Sequence, residues 1–253
     1  MERVYAENIQ IDEQSLKEFY RQRAVDKISI NVDAPVVLCS DRDESKIEEW
    51  TSFEIEHRFP DLKLNSSNVV LEVGCGTGRI SKYITGIVDT FVGIDYVEEF
   101  IDLIRSRNDI KKKKTTYFIH SSVQSLARRE ITIPTIKKFD RFVISGGVLM
   151  YINDAEVKEL FNELITRLDD RCIIYLSEPI ALKERLTLNK FYSEDLASEY
   201  SAIYRTEKEY QDLFSVFYKV GFKATKNEEF FYEDIKSQKE TKQWMFVLER
   251  QKV

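Results

Sequence analysis

The most constraining feature of the sequence is an apolar segment, residues 69–73, that runs into a turn with glycines at alternate positions. Gly74, Gly76 and Gly78 form this turn, and Glu72 precedes it. Glycine has no Cβ, so it reaches positive φ cheaply and lets a ligand approach the backbone closely. The residues that follow have a helical pattern, so free N–H groups of a helix start would face that ligand. The segment therefore predicts a strand, a turn and a helix around a nucleotide-like molecule.

The spacing of the glycines narrows the choice of that molecule. Dinucleotide-binding folds use Gly-x-Gly-x-x-Gly, whereas here the third glycine comes one position early and Arg79 stands where a packing glycine would be. A phosphate-binding P-loop needs Gly-Lys-Ser/Thr, but this turn ends Gly78-Arg79-Ile80. The pattern disfavours NAD, FAD and ATP.

A second apolar segment, residues 90–95, ends in the carboxylate of Asp95. Asp95 follows the glycine turn at about the spacing of ribose-binding acids in nucleotide folds, ~20 residues. A carboxylate there can accept hydrogen bonds from both ribose hydroxyls. The alternative is a cap for the helical pattern at 97–107. Strand, acid and spacing agree, which favours ribose binding.

Strand-like and helical patterns alternate along the chain. Strands are predicted at 69–73, 90–94, 116–120, 141–145, 171–177, 223–232 and 243–249, and helices at 79–85, 97–107, 155–168 and 207–220. Such alternation predicts an α/β fold with a mainly parallel sheet covered on both faces. The last two strands, separated by the polar segment 233–242, predict an antiparallel ending.

Composition and length limit the class of protein. The 253 residues suit one α/β domain, and 43% hydrophobic with 32% charged residues are ordinary for a soluble globular protein. No apolar run approaches the ~20 residues that span a bilayer, and residues 1–10 lack the apolar core of a secretion signal. Cys39, Cys75 and Cys172 are widely spaced and odd in number, which favours neither a disulfide framework nor a zinc site. We expect a cytoplasmic location.

The net charge bears on possible partners. A value of −6 argues against nucleic acid, because a phosphate backbone usually needs a basic surface. The basic run at 111–114 lies between a predicted helix and a predicted strand, where a solvated loop is expected. We therefore expect a small-molecule partner, no nucleic acid and no membrane span, while the oligomeric state stays open.

The pattern Glu72-x-Gly74-x-Gly76-x-Gly78 resembles motif I of the class I S-adenosylmethionine-dependent methyltransferases. Their ligand carries no phosphate and has a positive sulfonium, which an acidic residue at position 72 fits. The specific motifs cover residues 69 to about 177. The resemblance implies S-adenosylmethionine as cofactor and a Rossmann-like sheet of seven strands, mainly parallel with an antiparallel last strand.

The resemblance also implies a set of cofactor-binding residues. They are Tyr20, Arg23, Glu72, Gly74, Gly76, Gly78, Asp95, Tyr96, Ser122, Ser145 and Gly146. The glycines would line the methionine part, Asp95 would take the ribose and Tyr96 would flank the adenine. Many relatives carry an acid after the third strand that binds the adenine amino group. Here Ser122 would have to accept that bond through its hydroxyl or its backbone.

The remaining cofactor residues come from two regions. Ser145 and Gly146 end the fourth strand, which the resemblance places beside the sulfonium. Tyr20 or Arg23 would close over the cofactor from the N-terminal segment. The guanidinium of Arg23 would then pair with the cofactor carboxylate.

Two regions lie outside this core. Residues 1–60 contain helical patterns at 11–24 and 45–59 and are expected to form a lid, while 61–253 form the main domain. The insertion at 181–205 follows the fifth strand. Both would fold over the carboxyl ends of the strands, where ligands of open α/β sheets bind, and the insertion would form the acceptor pocket. The alternative is that these segments only bury the sheet edges.

The insertion carries tyrosines and arginines that suit an acceptor with hydroxyl and phosphate groups. The predicted acceptor residues are Arg185, Tyr192, Tyr200, Tyr204 and Arg205. The insertion, with the segments 20–24 and 145–151, resembles small methyltransferases of bacterial surface-polysaccharide gene clusters. That narrower resemblance implies methylation of a glycan precursor.

Methyl transfer to an alcohol benefits from a general base within about 3 Å of the hydroxyl. The candidate catalytic residues are Glu178, His57 and Tyr151. Glu178 follows the fifth strand, and its alternative role is to order a loop. His57 lies in a helix before the core and is otherwise structural or exposed. No metal is expected, because Asn153 and Asp154 read as a helix cap and too few carboxylates cluster there.

The sequence favours an S-adenosylmethionine-dependent O-methyltransferase. Its acceptor would be a sugar or a sugar-linked, phosphoramidate-type group in surface-polysaccharide synthesis. Two alternatives stay open. One is N-methylation of a small molecule or amino sugar, and the other is a non-catalytic cofactor-binding subunit that regulates a partner.

Overall fold

The computed structural model describes residues 2–29, 31–41, 43–135, 138–194, 196–232 and 240–250. The strands are β1 (Glu2–Tyr5), β2 (Val69–Val73), β3 (Thr90–Asp95), β4 (Thr116–His120), β5 (Phe139–Ile144), β6 (Leu168–Ala181), β7 (Leu186–Ser193), β8 (Ser198–Tyr204), β9 (Lys223–Glu229) and β10 (Thr241–Glu249). The helices are α1 (Glu13–Lys27), α2 (Ser45–His57), α3 (Ser81–Ile87), α4 (Glu98–Ser106), α5 (Val123–Ala127), α6 (Asp154–Arg167) and α7 (Glu207–Lys219). Short 3-10 turns cover Leu38–Asp41, Phe59–Leu62 and Leu149–Tyr151.

Seven strands form the central sheet in the order β4-β3-β2-β5-β6-β10-β9. The first five are parallel to one another, and β10 is antiparallel to both β6 and β9. This confirms the predicted Rossmann-like sheet with an antiparallel last strand. The polar connection predicted at 233–242 lies mostly outside the described residues.

Both faces of the central sheet are covered, because successive side chains of a strand point to opposite faces. In β2, Val69, Leu71 and Val73 pack on the face that carries α5, α6 and α7. Val70 packs on the other face, with the 3-10 turn at Phe59–Leu62 and helix α3. The near-continuous apolar pattern of the parallel strands follows from this double burial.

The insertion forms a second sheet that sequence analysis did not predict. Strands β7 and β8 form an antiparallel hairpin, and β1 adds to β7 as a third strand. Leu186 and Leu188 of β7 and Ala202 of β8 are buried with Met150. Pairing between β1 and β7 joins segments that are far apart in the chain, so no local pattern indicated it. The Ala181 N–H donates to the Arg205 carbonyl at 2.9 Å, so the insertion leaves and re-enters the core at one point.

The element limits differ from prediction mainly in two places. Strand β6 continues to Ala181 because β10 pairs with it along its whole second half. Helix α5, at Val123–Ala127, was missed, since five residues are too short to show a helical period.

The N-terminal segment lies against the glycine turn. Asp33 Oδ1 accepts hydrogen bonds from Thr77 Oγ1 at 2.9 Å and from Arg107 Nη1 at 2.7 Å. Asp33 and Arg107 are both buried, and Arg107 Nη1 also donates to the Thr77 carbonyl at 2.9 Å. These bonds tie the segment before α2 to the glycine turn and to the end of α4. Among the helices of the described ranges, none is both long and apolar enough to cross a membrane.

Candidate active site

A cleft lies at the carboxyl ends of β2, β3, β4 and β5, where open α/β sheets bind their ligands. Its volume is about 950 Å³ when the solvent-open space at its mouth is included. The predicted residues that line it are Tyr20, Glu72, Gly74, Gly76, Asp95, Tyr96, Ser122, Ser145, Gly146 and Tyr151. The fold therefore brings most of the predicted cofactor set to one place.

Gly74 and Gly76 lie at points of close approach in the turn. Both have positive φ, 73° and 53°. A Cβ on Gly76 would lie 2.7 Å from Val36 Cγ1, and one on Gly74 would collide with Val148. The Gly74 N–H donates to the Ile94 carbonyl at 2.8 Å, which fixes the turn to β3. Neither position accommodates a side chain.

Gly78 faces the core instead of the cleft. Its φ is 85°, and a Cβ there would lie 2.6 Å from Ile110 Cδ1 and 3.2 Å from Ile104 Cγ1. Gly78 is not part of the cleft lining. Glycine is required here for packing under α4, which corrects its predicted contact with the cofactor.

Asp95 ends β3 in the middle of the cleft. Its Oδ2 accepts from the Gly76 N–H at 2.8 Å, and its Oδ1 accepts from the Val97 N–H at 2.9 Å. Burial raises the pKa of Asp95 to about 6, so the carboxyl group is ionised at neutral pH. Each oxygen retains a lone pair for another donor. Ordering the start of α4 and accepting ribose hydroxyls are thus compatible roles.

Glu72 is a buried acid on the cleft wall. It is 2% exposed, and Ser81 Oγ donates to its Oε2 at 2.6 Å. Burial raises the pKa of Glu72 to about 8, so it holds a proton at neutral pH. A cation brought close to Glu72 would favour its ionised form.

Tyrosines form the aromatic wall of the cleft. The Tyr20 and Tyr151 rings meet edge to face with centroids 5.4 Å apart. Tyr151 Oη lies 2.9 Å from Tyr200 Oη. The buried Oη of Tyr96 has no hydrogen-bond partner among the described residues. Burial raises the pKa of Tyr20, Tyr96 and Tyr151, so all three stay protonated at neutral pH.

The two predicted serines already have protein partners. Ser122 is the N-cap of α5, and its Oγ accepts from the Ser125 N–H at 3.1 Å. Ser145 Oγ donates to Glu54 Oε1 at 2.5 Å. Both line the cleft, but the Ser122 hydroxyl has only part of its accepting capacity left.

An ion pair between Arg79, which is partly buried, and Glu54, which is buried, joins α2 to the cleft and was missed by sequence analysis. Arg79 Nη2 donates to Glu54 Oε2 at 3.1 Å, and Nη1 donates to Thr51 Oγ1 at 3.2 Å. Arg79 lines the cleft beside Gly146, and a guanidinium has five N–H donors, so some remain for a ligand. The position of Arg79 directly after the glycine turn was the available signal.

The guanidinium of Arg23 forms its hydrogen bonds with the segment after α1. Its Nη1 donates to Asp41 Oδ2 at 2.6 Å, its Nε to the Pro35 carbonyl at 2.8 Å and its Nη2 to the Ala34 carbonyl at 3.0 Å. Arg23 is buried and is not part of the cleft lining. The prediction that it pairs with the cofactor carboxylate is wrong, because these bonds hold the segment after α1 in place.

Glu178 lies beneath the turn that follows β5. Its Oε1 accepts from the Val148 and Leu149 N–H groups at 2.7 and 2.9 Å, and its Oε2 accepts from the Met150 N–H at 3.3 Å. Burial raises the pKa of Glu178 to about 7, although these backbone bonds oppose the shift. Glu178 is fully buried and does not line the cleft, so its predicted role as general base is corrected to loop ordering.

His57 is also not part of the cleft lining. Its side chain is 43% exposed, and its ring packs against Phe53 and Tyr232 with centroids 4.8 and 5.4 Å away. The predicted catalytic role of His57 is therefore wrong, because the end of α2 places it in a surface aromatic cluster.

The arginines of the insertion are structural. Arg205 is fully buried, with Nε on Asp154 Oδ1 at 2.8 Å, Nη1 on the Leu149 carbonyl and Nη2 on the Ile152 carbonyl, both at 2.6 Å. Arg185 donates to Asp154 Oδ2 at 3.1 Å and to Glu209. Arg185 Nε has no hydrogen-bond partner among the described residues, but it is buried, and neither arginine lines the cleft. Their predicted phosphate binding is therefore wrong, since acids and carbonyls of the fold bind the guanidinium groups.

The tyrosines of the insertion do not line the cleft directly. Tyr200 is buried behind Tyr151, Tyr204 is half-buried in the second sheet and Tyr192 is 46% exposed. The prediction that these three tyrosines contact an acceptor directly is therefore wrong. Only Tyr200 reaches the cleft, through its hydrogen bond to Tyr151.

Residues 70–170 match a protein family described as a methyltransferase domain. The chain contains a methyltransferase domain. S-adenosylmethionine is the cofactor of this domain. No curated protein matches the chain.

Solved structures share the fold of the methyltransferase domain at low sequence identity. An S-adenosylmethionine-dependent methyltransferase from Leishmania major is 16% identical, with a TM-score of 0.61 over 93% of this chain and 82% of its own. Magnesium protoporphyrin IX methyltransferase from Synechocystis is 13% identical, with a TM-score of 0.57 over 97% and 100%. Phosphoethanolamine N-methyltransferase 1 from Haemonchus contortus is 15% identical, with a TM-score of 0.65 over 94% and 48%. At these identities the likeness shows the fold alone.

The cleft of the methyltransferase domain has a donor and acceptor set that fits its cofactor. An ionised carboxylate with spare lone pairs, Asp95, suits ribose hydroxyls. Glu72 suits a positive end, and the spare donors of Arg79 suit a carboxylate. The glycine turn excludes the side chains that would fill the space above it.

Proposed function

We propose that the domain transfers a methyl group to a hydroxyl of a neutral, sugar-like acceptor bound against Tyr151 and Tyr20. The observation that carries this proposal is the neutral phenol wall, with Tyr151 Oη held 2.9 Å from Tyr200 Oη. Aromatic faces pack on sugar rings, and phenol hydroxyls exchange hydrogen bonds with sugar hydroxyls.

The cofactor placement that supports this proposal follows the cleft. We place the methionine part over Gly74 and Gly76, its amino group toward Glu72 and its carboxylate toward Arg79. Asp95 takes the ribose, and the adenine lies at the Tyr96 end. Bound there, S-adenosylmethionine supplies an electrophilic methyl group on a good leaving group. The residues around it then have mainly to hold the acceptor at near-attack distance.

Tyr151 orients the acceptor in this proposal. Its raised pKa keeps the phenol protonated, so it forms hydrogen bonds to the acceptor hydroxyl and does not take its proton at neutral pH. Glu178 is a positioning residue, because it binds the backbone N–H groups of the turn that carries Tyr151. Residues 1–60 act as a lid, since Tyr20 lines the cleft and Asp33 binds the glycine turn.

The partners of the arginines near the proposed acceptor side favour a neutral acceptor over a phosphorylated one. Arg185 and Arg205, the arginines nearest to Tyr200 in sequence, are held by Asp154 and by backbone carbonyls. Neither guanidinium lines the cleft, and the one Arg185 nitrogen without a hydrogen-bond partner, Nε, is buried, so a phosphoramidate-type acceptor gains no pairing from these two residues. We retain the surface-polysaccharide precursor as substrate class from the sequence phrases, and a cytoplasmic reaction with it.

Methyl-labelled S-adenosylmethionine tests the proposal with a panel of nucleotide sugars, amino sugars and phosphoethanolamine. We expect label on a sugar hydroxyl, located by mass spectrometry with linkage analysis, and none on phosphoethanolamine. Tyr151→Phe is expected to lower kcat about tenfold while leaving affinity for S-adenosylhomocysteine unchanged, the size of one lost hydrogen bond. Label on nitrogen would replace the proposal by N-methylation. Cofactor binding without label on any acceptor of the panel would favour a non-catalytic subunit.

A further inference from the structure

Glu13 is a carboxylate on the cleft wall that sequence analysis gave no role. It is the first residue of α1, the helix that also brings Tyr20 to the cleft. Glu13 is partly buried. We find no hydrogen bond or ion pair to its side chain from any residue within the described ranges. Glu13 thus lines the cleft, and its carboxylate has no donor among the described residues.

The surroundings of Glu13 do not favour a purely structural acid. Burial raises the pKa of Glu13, and the nearby carboxylates of Glu156 and Asp12 raise it further. Lys17 and Arg128 act in the opposite direction without reversing the shift. A first-turn acid normally gains from the helix dipole. Here the net environment opposes ionisation, and a ligand that donates a hydrogen bond would offset this cost.

The two acids whose charges act on Glu13 both cap helices. Asp12 caps α1 by accepting from the Gln14 N–H at 3.1 Å. Glu156 completes the capping box of α6 by accepting from the Asn153 N–H at 3.2 Å. Glu13 belongs to no such capping contact.

Glu13 lines the same end of the cleft as Tyr96 and the loop after β4. Ser122 of that loop and Gln124 in the first turn of α5 are part of the lining, and the Glu13 charge acts on the Tyr96 hydroxyl. With the methionine part at the glycine turn and the ribose at Asp95, this end remains for the adenine. Adenine presents a 6-amino group that donates hydrogen bonds. Ser122 is a weak acceptor for it, because its Oγ already accepts from Ser125.

We infer that Glu13 accepts a hydrogen bond from the 6-amino group of the cofactor's adenine. The N-terminal helix then supplies the base-recognising acid, and the loop after β4 does not. This inference rests on the proposed placement of the cofactor. Glu13 is then a specificity-determining residue, because this side chain of the N-terminal lid recognises the base.

Binding of two ligands that differ at one position tests the inference. S-adenosylhomocysteine carries the 6-amino donor, whereas S-inosylhomocysteine carries a 6-oxo acceptor that a carboxylate repels. By isothermal titration calorimetry, the wild-type chain should prefer the adenosyl ligand about 100-fold, because a charged hydrogen bond is lost and an acceptor faces an acceptor. In Glu13→Gln the amide can donate to the 6-oxo group, so the preference should fall below about fivefold.

Glu18→Gln is the matched control, because Glu18 lies on the same helix and pairs with Arg21 outside the cleft lining. Its ligand preference should equal that of the wild-type chain. An unchanged preference in Glu13→Gln, or no preference in the wild-type chain, overturns the inference while the cofactor site stands. No binding of either ligand to the wild-type chain overturns the cofactor placement as well. Thermal unfolding of each variant verifies that it is folded.

Discussion

The two halves of the cleft use their polar groups in opposite ways. On the cofactor side, Asp95 and Arg79 line the cleft and keep hydrogen-bonding capacity beyond their protein contacts. Behind the proposed acceptor side, Arg185 and Arg205 do not line the cleft, and they donate to Asp154, Glu209 and backbone carbonyls. The same residue types therefore keep hydrogen-bonding capacity for a ligand on the proposed cofactor side and hold the fold together on the other side.

This difference shows why residue type alone is a poor guide to a binding role. The cofactor residues sit at strand ends and in a turn whose conformation is set locally. The acceptor-side arginines lie where the insertion meets the core, and their partners come from α6, from α7 and from the turn after β5. A charge that is buried at such a junction needs internal partners.

The largest effect should come from removing a charge that holds the fold. Arg205→Met leaves the Leu149 and Ile152 carbonyls without this donor and leaves Asp154 with Arg185 alone as its arginine partner, so we expect the free energy of unfolding to fall by about 3–5 kcal/mol. Denaturant unfolding measures it. Arg171→Met, at an exposed position of β6, is the control and should change stability by less than about 0.5 kcal/mol. An equally stable Arg205→Met chain would return Arg205 to the list of ligand-binding residues.

The next effect concerns the carboxylate that faces the ligand. Asp95→Asn should weaken binding of S-adenosylhomocysteine about 100-fold, because charged hydrogen bonds to the ribose are lost. Calorimetric titration gives the affinity. Asp102→Asn, exposed on α4, should bind like the wild-type chain. Wild-type affinity in Asp95→Asn would remove the contrast between the two halves.

Glu72, the buried acid on the proposed cofactor side, should make the free energy of unfolding depend on pH. The pKa of Glu72 rises from 4.5 to about 8 on folding, so the native state binds a proton that the unfolded state releases. Its contribution is complete below about pH 4.5 and is lost as pH rises through about 8. Glu72→Gln should flatten this decline in the free energy of unfolding between pH 5 and 8. Exposed Glu184→Gln should leave it unchanged, and an equal slope in both variants would refute the assignment.

The smallest effect is the difference in stability between alanine variants of two glycines, Gly76 in the turn and Gly86 in α3. Gly76→Ala places a Cβ at φ 53° and 2.7 Å from Val36, so we expect a loss of about 1–3 kcal/mol in stability and weaker cofactor binding. Gly86→Ala, in α3 with nothing within 4 Å of the new Cβ, should raise stability by about 0.5–1 kcal/mol. Thermal unfolding compares the pair, and equal shifts would show that the turn tolerates side chains.

Sequence analysis predicted the parts of the molecule that local patterns determine. The glycine turn, Asp95 and the central sheet follow from adjacent residues and strand spacing. The second sheet, the Arg79–Glu54 pair and the cleft position of Glu13 depend on contacts between distant segments, so the sequence did not indicate them. The errors at Arg23, Arg205 and Glu178 share one cause. Each is a polar side chain in a segment that the sequence predicts to lie near the cleft. In the structure, each forms its hydrogen bonds with groups of the protein instead.

A crystal structure with S-adenosylhomocysteine tests the central claim most directly. We expect density for the whole ligand along the cleft, with the ribose hydroxyls within about 3 Å of Asp95 and the adenine between Tyr96 and Glu13. A ligand bound elsewhere, or a ribose without contact to Asp95, would contradict it.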